Sequence, residues 1–141
     1  MECISYKDGY RYQLKEDYVT DTGIKPDAPI NTEYLILSIE GKLTVNSGYA
    51  WDGPSGPTID TLNFMKGSLV HDALYQLMRE GHLDAGKYRD VADRLLQTMC
   101  KVDGMTRLRA WWVYRGVRFG GGPSADPANS KPIIKAPRAC E

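Results

Sequence analysis

Histidine is almost missing from this chain: its 141 residues hold two, His71 and His82. A zinc centre built on clustered imidazoles is excluded by that count alone. Cysteine is sparse and odd in number, with Cys3, Cys100 and Cys140 far apart and no CxxC spacing. A disulfide framework and a zinc–cysteine site are therefore not expected, and a reducing compartment fits. Charge has no surplus of either sign, with 18 Lys+Arg against 18 Asp+Glu. A dedicated nucleic-acid binder carries a basic excess, so that class has no strong signal here. No apolar run approaches bilayer-spanning length. The opening Met-Glu-Cys-Ile-Ser-Tyr-Lys-Asp has neither a basic nor an apolar leader region, so no signal peptide is expected.

What is present divides at the middle. The first part reads as strand. In "YRYQLKEDYVTD" Tyr10, Tyr12 and Leu14 alternate with Arg11, Gln13 and Lys15, a period of two. "EYLILSIEGKLTVNS" reads as a hairpin: Leu35, Leu37 and Ile39 share one face, Leu43 and Val45 continue it, and Glu40-Gly41 supply the turn. Pro26 and Pro29 mark a loop between these groups. "GYAWDGPSGPTID" then interrupts both periodicities with glycine and proline.

Beyond it the spacing turns helical. One helix is expected from about Asn63 to Glu80, with Val70, Ala73, Leu74, Leu77 and Met78 on one side and Gly81 as its stop. A second runs from about Asp84, its cap, to Val102, with Tyr88, Val91, Ala92, Leu95, Met99 and Val102 as the apolar stripe and Gly104 as its end. A third covers about Thr106 to Val117. Strands first and helices later predict an α+β domain over residues 1–120. An antiparallel sheet with hairpins leads into an antiparallel helix pair and a third helix. The segment 121–141, with Pro123, Pro127, Pro132 and Pro137, is expected to be an extended arm.

The chemistry concentrates in "SLVHDALYQLM". His71 and Tyr75, at i and i+4, stack on one face, and Asp72 points about 100° away. Asp93, at the border of the second helix's stripe, can face His71 across an antiparallel pair. A carboxylate that holds one imidazole nitrogen fixes the tautomer and stabilises the imidazolium, which is the logic of a general base and its orienting acid. The same group can equally be a satisfied structural network. Asp72 is left to bind a hard cation with backbone carbonyls. Asp52 is either a second cation ligand or a loop-stabilising Asx residue, and Ser55 in "GPSGP" is a candidate loop contact to substrate. An HD-type phosphohydrolase would need more histidines than His82, which falls in an interhelix turn.

"HDALY" followed by "VADRLL" resembles the His-Asp-x-x-Tyr helix and the Ala-Asp helix of the phospholipase A2 superfamily, most similar to its viral type. That resemblance implies His71 as the residue that activates water, Asp72 as a calcium ligand, Asp93 as the orienter of His71 and Tyr75 as support for that aspartate. It implies calcium as cofactor and a phospholipid or other ester as substrate. "YAWDGPSGP" stands where the family has its calcium loop, with Trp51-Asp52 in place of small residues and Pro54 and Pro57 removing two backbone donors. The longer order of Asp52, Gly53, Ser55, His71, Asp72, Tyr75 and Asp93 resembles a phage and prophage family of unknown function. It implies a phage protein in the host cytoplasm or the virion, with phage structural proteins as partners if it is no enzyme.

"TRLRAWWVYRGVRF" interleaves basic and aromatic residues. The expectation is a packed helix with Trp112 and Leu108 inward and arginine stems covering the rim. The alternative is a surface for phosphate, lipid headgroups or nucleic acid. Arg107 and Arg115 are candidates to face an anionic substrate.

Overall fold

The structure is a computed structural model and describes residues 4–6, 12–51, 62–120 and 134–136. Among the described residues eight short strands and three helices follow one another as β1 (Ile4–Tyr6), β2 (Tyr12–Gln13), β3 (Tyr18–Asp21), β4 (Ile30–Asn31), β5 (Leu35–Leu37), β6 (Lys42–Val45), β7 (Ala50–Trp51), α1 (Leu62–Arg79), α2 (Ala85–Val102), α3 (Arg107–Gly120) and β8 (Ile134–Ala136). The fold is α+β: antiparallel strands come first, then three helices.

The main sheet has four strands in the order β3-β6-β5-β4. Its register sets Leu35 opposite Val45 and Leu37 opposite Leu43. These four side chains are fully buried and form one cluster with Val70, Ala73, Leu74, Leu77 and Met78 of α1. The core is therefore the layer between one sheet face and α1. On the other sheet face Val19, opposite Thr44, is exposed. Alternation with period two produces this division, because one face of an antiparallel sheet can stay in water.

The expected single strand over Tyr10–Asp21 is instead broken. Tyr12–Gln13 pairs with β7, and Tyr18–Asp21 joins the main sheet, with bends at Lys15 and Glu16 between them. The hairpin is also built differently at its tip. Ile39 does not share the core face of Leu35 and Leu37 but lies exposed in the turn. The turn closes through Gly41 N–H donating to Ser38 O at 3.0 Å, with Gly41 at φ +97°. A type I turn followed by a left-handed residue needs three loop positions, and Ile39 is consumed as the first of them.

The helices stop where glycine allows. Gly81 N–H reaches Met78 O and His82 N–H reaches Leu77 O, a Schellman closure with Gly81 at φ +79°. Gly104 and Met105 repeat it on Lys101 O and Cys100 O. Asp84 caps α2 by accepting from Gly86 N–H at 2.9 Å. Thr106 begins α3, accepting from Arg109 N–H through its hydroxyl at 3.3 Å.

The α2 stripe is rotated from its expected position. Val91 and Val102 are exposed, whereas Ala92, Asp93, Leu96 and Cys100 are buried. The cause is α3: α2 has a helix on two sides, α1 and α3, and its inward arc turns to serve both. Leu96 and Cys100 form a second cluster with Met105, Ala110 and Val113. At the α1–α2 contact Gly67 lets the helices approach, since a Cβ there would lie 3.0 Å from Leu96 Cδ1 and 3.3 Å from Cys100 Sγ. Trp51 links strand to helix by donating its indole N–H to Ser68 Oγ at 3.2 Å. Residues 134–136 of the expected arm pair antiparallel with β1. No helix among the described residues is long and apolar enough to cross a membrane.

Candidate functional site: a shared carboxylate between three helices

The antiparallel pairing of α1 and α2 brings His71 and Asp93 together. His71 Nε2 lies 2.7 Å from Asp93 Oδ1, and Tyr75 OH donates to the same oxygen at 2.5 Å. The two rings, one helical turn apart, are in contact with centroids 4.1 Å apart. Asp93 Oδ2 accepts from Arg118 Nη1 at 3.0 Å. Asp93 is thus fully buried, 0 % exposed, with donors from α1 and α3 on both its oxygens.

A second ring of bonds holds this first one. Arg89, one turn before Asp93 on α2, donates Nε–H to Tyr75 OH at 3.2 Å. Its Nη2 donates to Val117 O at 3.1 Å and to Arg118 O at 2.7 Å, so it satisfies carbonyls of the last turn of α3. Asp90 accepts from Arg94 Nε at 2.8 Å and from Tyr114 OH at 2.7 Å, and it lies 3.8 Å from Arg118 Nε. The last turn of α3 is therefore held to α2 by bonds in both directions.

Protonation follows from these contacts. A carboxylate only accepts, so the 2.7 Å contact places a proton on His71 Nε2 and, in the neutral ring, the basic lone pair on Nδ1. Nδ1 lies 3.8 Å from Asp72 Oδ1, whose side chain is about a third exposed. Burial opposes the charged imidazole, but the bonds and charges of Asp72 and Asp93 outweigh it and raise His71 above its ordinary 6.5. Burial likewise pushes Asp93 up, yet the bonds from His71, Tyr75 and Arg118 bring it below its ordinary 3.8. Burial, together with the bond to the Asp93 carboxylate, raises Tyr75 and keeps it a phenol.

His71, Asp93 and Tyr75 come together as the sequence predicts, and Asp72 sits beside the Nδ1 edge of the ring. Asp93 is not at the border of a stripe but at the centre of the helix packing. Asp52 and Ser55 lie outside the described residues. Arg107 and Arg115 stand on exposed parts of α3, with the Arg115 guanidinium over the rings of Trp111 and Phe119 at 5.7 and 5.1 Å. The α3 arginine that reaches the carboxylate of Asp93 is Arg118. A signal for it was present: α3 holds four arginines and no acid, while Asp90 and Asp93 share one side of α2. Among the described residues no group of three or more His, Cys, Asp or Glu is placed to hold a metal.

Comparison of the chain with known protein families, with curated proteins and with solved structures gives no match.

Proposed function

We propose that the protein is a small hydrolase in which His71 is the general base. The observation that carries this reading is the 2.7 Å bond from His71 Nε2 to a buried carboxylate that is itself satisfied by Tyr75 and Arg118. It leaves Nδ1 as the basic nitrogen, on the side of the ring nearer Asp72. His71 Nδ1 would take a proton from water as the water oxygen attacks an ester carbonyl. Asp93 and Asp72 would stabilise the imidazolium formed, and that proton would then pass to the departing alkoxide, giving acid and alcohol. The substrate class, a phospholipid or other carboxylic ester, comes from the resemblance of "HDALY…VADRLL" to the phospholipase A2 superfamily, and so does a calcium ion on Asp72.

The test is hydrolysis of a panel of short-chain esters and phospholipids, with calcium and with chelator, by the wild-type chain and His71→Asn. Turnover by the wild type and its loss in a folded His71→Asn chain is the expected result. Activity that survives chelation removes calcium from the reading. Inactivity of the wild type across the panel rejects the enzyme.

A second reading has its own observation. His71 is 7 % exposed and Asp93 is sealed, which suits a polar network that locks three helices together in a phage virion or assembly protein. It predicts no turnover and a large loss of stability when any member of the network is truncated.

A further inference from the structure

Helix α3 is built with its large side chains outward. Its inner side is small: Ala110 and Val113 are buried and Val117 is partly so. Leu108, Trp112 and Phe119 are 68 %, 64 % and 81 % exposed, and Trp111 stands exposed beside them. At about 100° per residue, Leu108, Trp111, Trp112, Arg115 and Phe119 fall within an arc of roughly 100° on the side opposite Ala110 and Val117. The sequence pattern predicts Trp112 and Leu108 inward; the structure reverses it. The surface under α3 is filled by Leu96 and Cys100 of α2 and by Met105 of the connection, and Ala110 and Val113 of α3 pack against them. Isolated exposed apolar residues need no explanation, but a contiguous row of this size marks a contact surface.

Charge selects the occupant. The helix carries Arg107, Arg109, Arg115 and Arg118 and no acidic residue, in a chain whose net charge is zero. Arg115 stands inside the apolar row, over Trp111 and Phe119. A second copy of the chain docked by two-fold symmetry would bring the same arginine-bearing row against itself, and like charges would meet in a desolvated contact. Tryptophan and phenylalanine beside arginine, with no acid, is the composition of a helix lying in the headgroup region of an anionic bilayer.

We propose that the outer face of α3 docks the protein on an anionic phospholipid bilayer, with Leu108, Trp112 and Phe119 entering the acyl boundary and Arg107 and Arg115 meeting phosphate. The purpose of the contact rests on the hydrolase reading, for which an anionic bilayer would supply the ester; the binding itself does not require catalysis.

The experiment is flotation with phosphatidylglycerol–phosphatidylcholine vesicles and with phosphatidylcholine alone, together with tryptophan emission. Trp51 is buried, so a change in emission reports Trp111 and Trp112. The expected result is co-flotation with the anionic vesicles only and a blue shift. Trp112→Glu with Phe119→Glu abolishes both, and Arg115→Glu weakens partition roughly tenfold. His71→Asn floats as the wild type does. Each of these residues on α3 is exposed, so circular dichroism should show the fold retained. Absence of flotation, or flotation unchanged in the double variant, overturns the proposal. So does a dimer in vesicle-free solution that the double variant breaks, which assigns the face to a second copy. Binding of a single-stranded oligonucleotide without vesicle binding overturns it in favour of nucleic acid. Flotation without hydrolysis leaves the docking standing and removes the hydrolase. Hydrolysis of dispersed short-chain ester without flotation does the reverse.

Discussion

Asp93 is where the molecule concentrates its polar energy. Three donors meet one carboxylate that has no exposed surface. Truncation to Asp93→Ala leaves His71, Tyr75 and Arg118 without that acceptor, one of them charged. A loss of about 3–5 kcal/mol is expected from breaking a buried pair in this way, measured as a shift of the urea midpoint at constant slope. The pH dependence carries two opposite signs. Asp93 is depressed in the folded chain, so its contribution is present above 3.8 and is lost as pH falls through the folded value. His71 is raised, so its contribution is full below 6.5 and is lost as pH rises through the folded value. Melting temperature should therefore be highest in weak acid and decline above pH 6.5, and the alkaline part of that decline should vanish in His71→Asn. Hydrolysis runs the other way, because the base must be neutral: rate should climb across the same pH range in which stability falls. Arg118→Met removes the cation that balances Asp93, so the imidazolium becomes the remaining charge partner. The His71 ring resonance, one of two in the chain, should then titrate at higher pH than in the wild type, while Arg118→Lys restores it.

At the scale of the elements, the helix pair depends on one close approach. A Cβ on Gly67 would press against Leu96 and Cys100 in the buried seam. Gly67→Ala gains about 1 kcal/mol of helix propensity, but overpacking a filled core costs about 1–3 kcal/mol. The expected net effect is a loss of about 1 kcal/mol, with the His71–Asp93 contact displaced as α1 moves outward. A gain in melting temperature would show that the seam relaxes freely. The boundaries of these helices were legible in sequence: Asp84, Gly81 and Gly104 stand where the observed cap and closures lie, since capping is a matter of a few neighbouring residues. The strand over residues 10–21 was not legible as two pieces. Tyr12, Leu14 and Tyr18 keep the same alternation whether or not the chain bends between them, and the bend follows from pairing with β7 and β6, far along the chain.

At the scale of the whole molecule, the described residues form two apolar centres of unequal size. The larger joins the sheet to α1 and draws in Ala92 of α2, and the smaller joins α2 to Ala110 and Val113 of α3. Helix α3 rests on small side chains and on the bonds of Arg89 and Arg118, so it should be the first helix to open. Amide hydrogen exchange should show α3 exchanging through a lower-energy opening than α1, and Arg89→Ala should accelerate α3 without changing the sheet. Equal protection of α1 and α3 would contradict this layering.

By itself the sequence determined the α+β order, the start of each helix and the ends of α1 and α2, the buried row Leu35, Leu37, Leu43 and Val45, and the placing of His71 and Tyr75 on one face of α1, whereas α3 runs on past the expected Val117 to Gly120. All of these follow from periodicity, from caps, or from residues one turn apart on a helix, which are interactions over short stretches of chain. Tertiary structure alone decided that Ile39 leaves the core face and that α2 turns Asp93 to the centre. It also decided that Arg118 rather than Arg107 or Arg115 reaches the carboxylate, and that α3 buries alanine and valine while it exposes both of its tryptophans. Each of those outcomes depends on which neighbour occupies a face first. That is a competition between surfaces far apart in the chain, and no local pattern records its result.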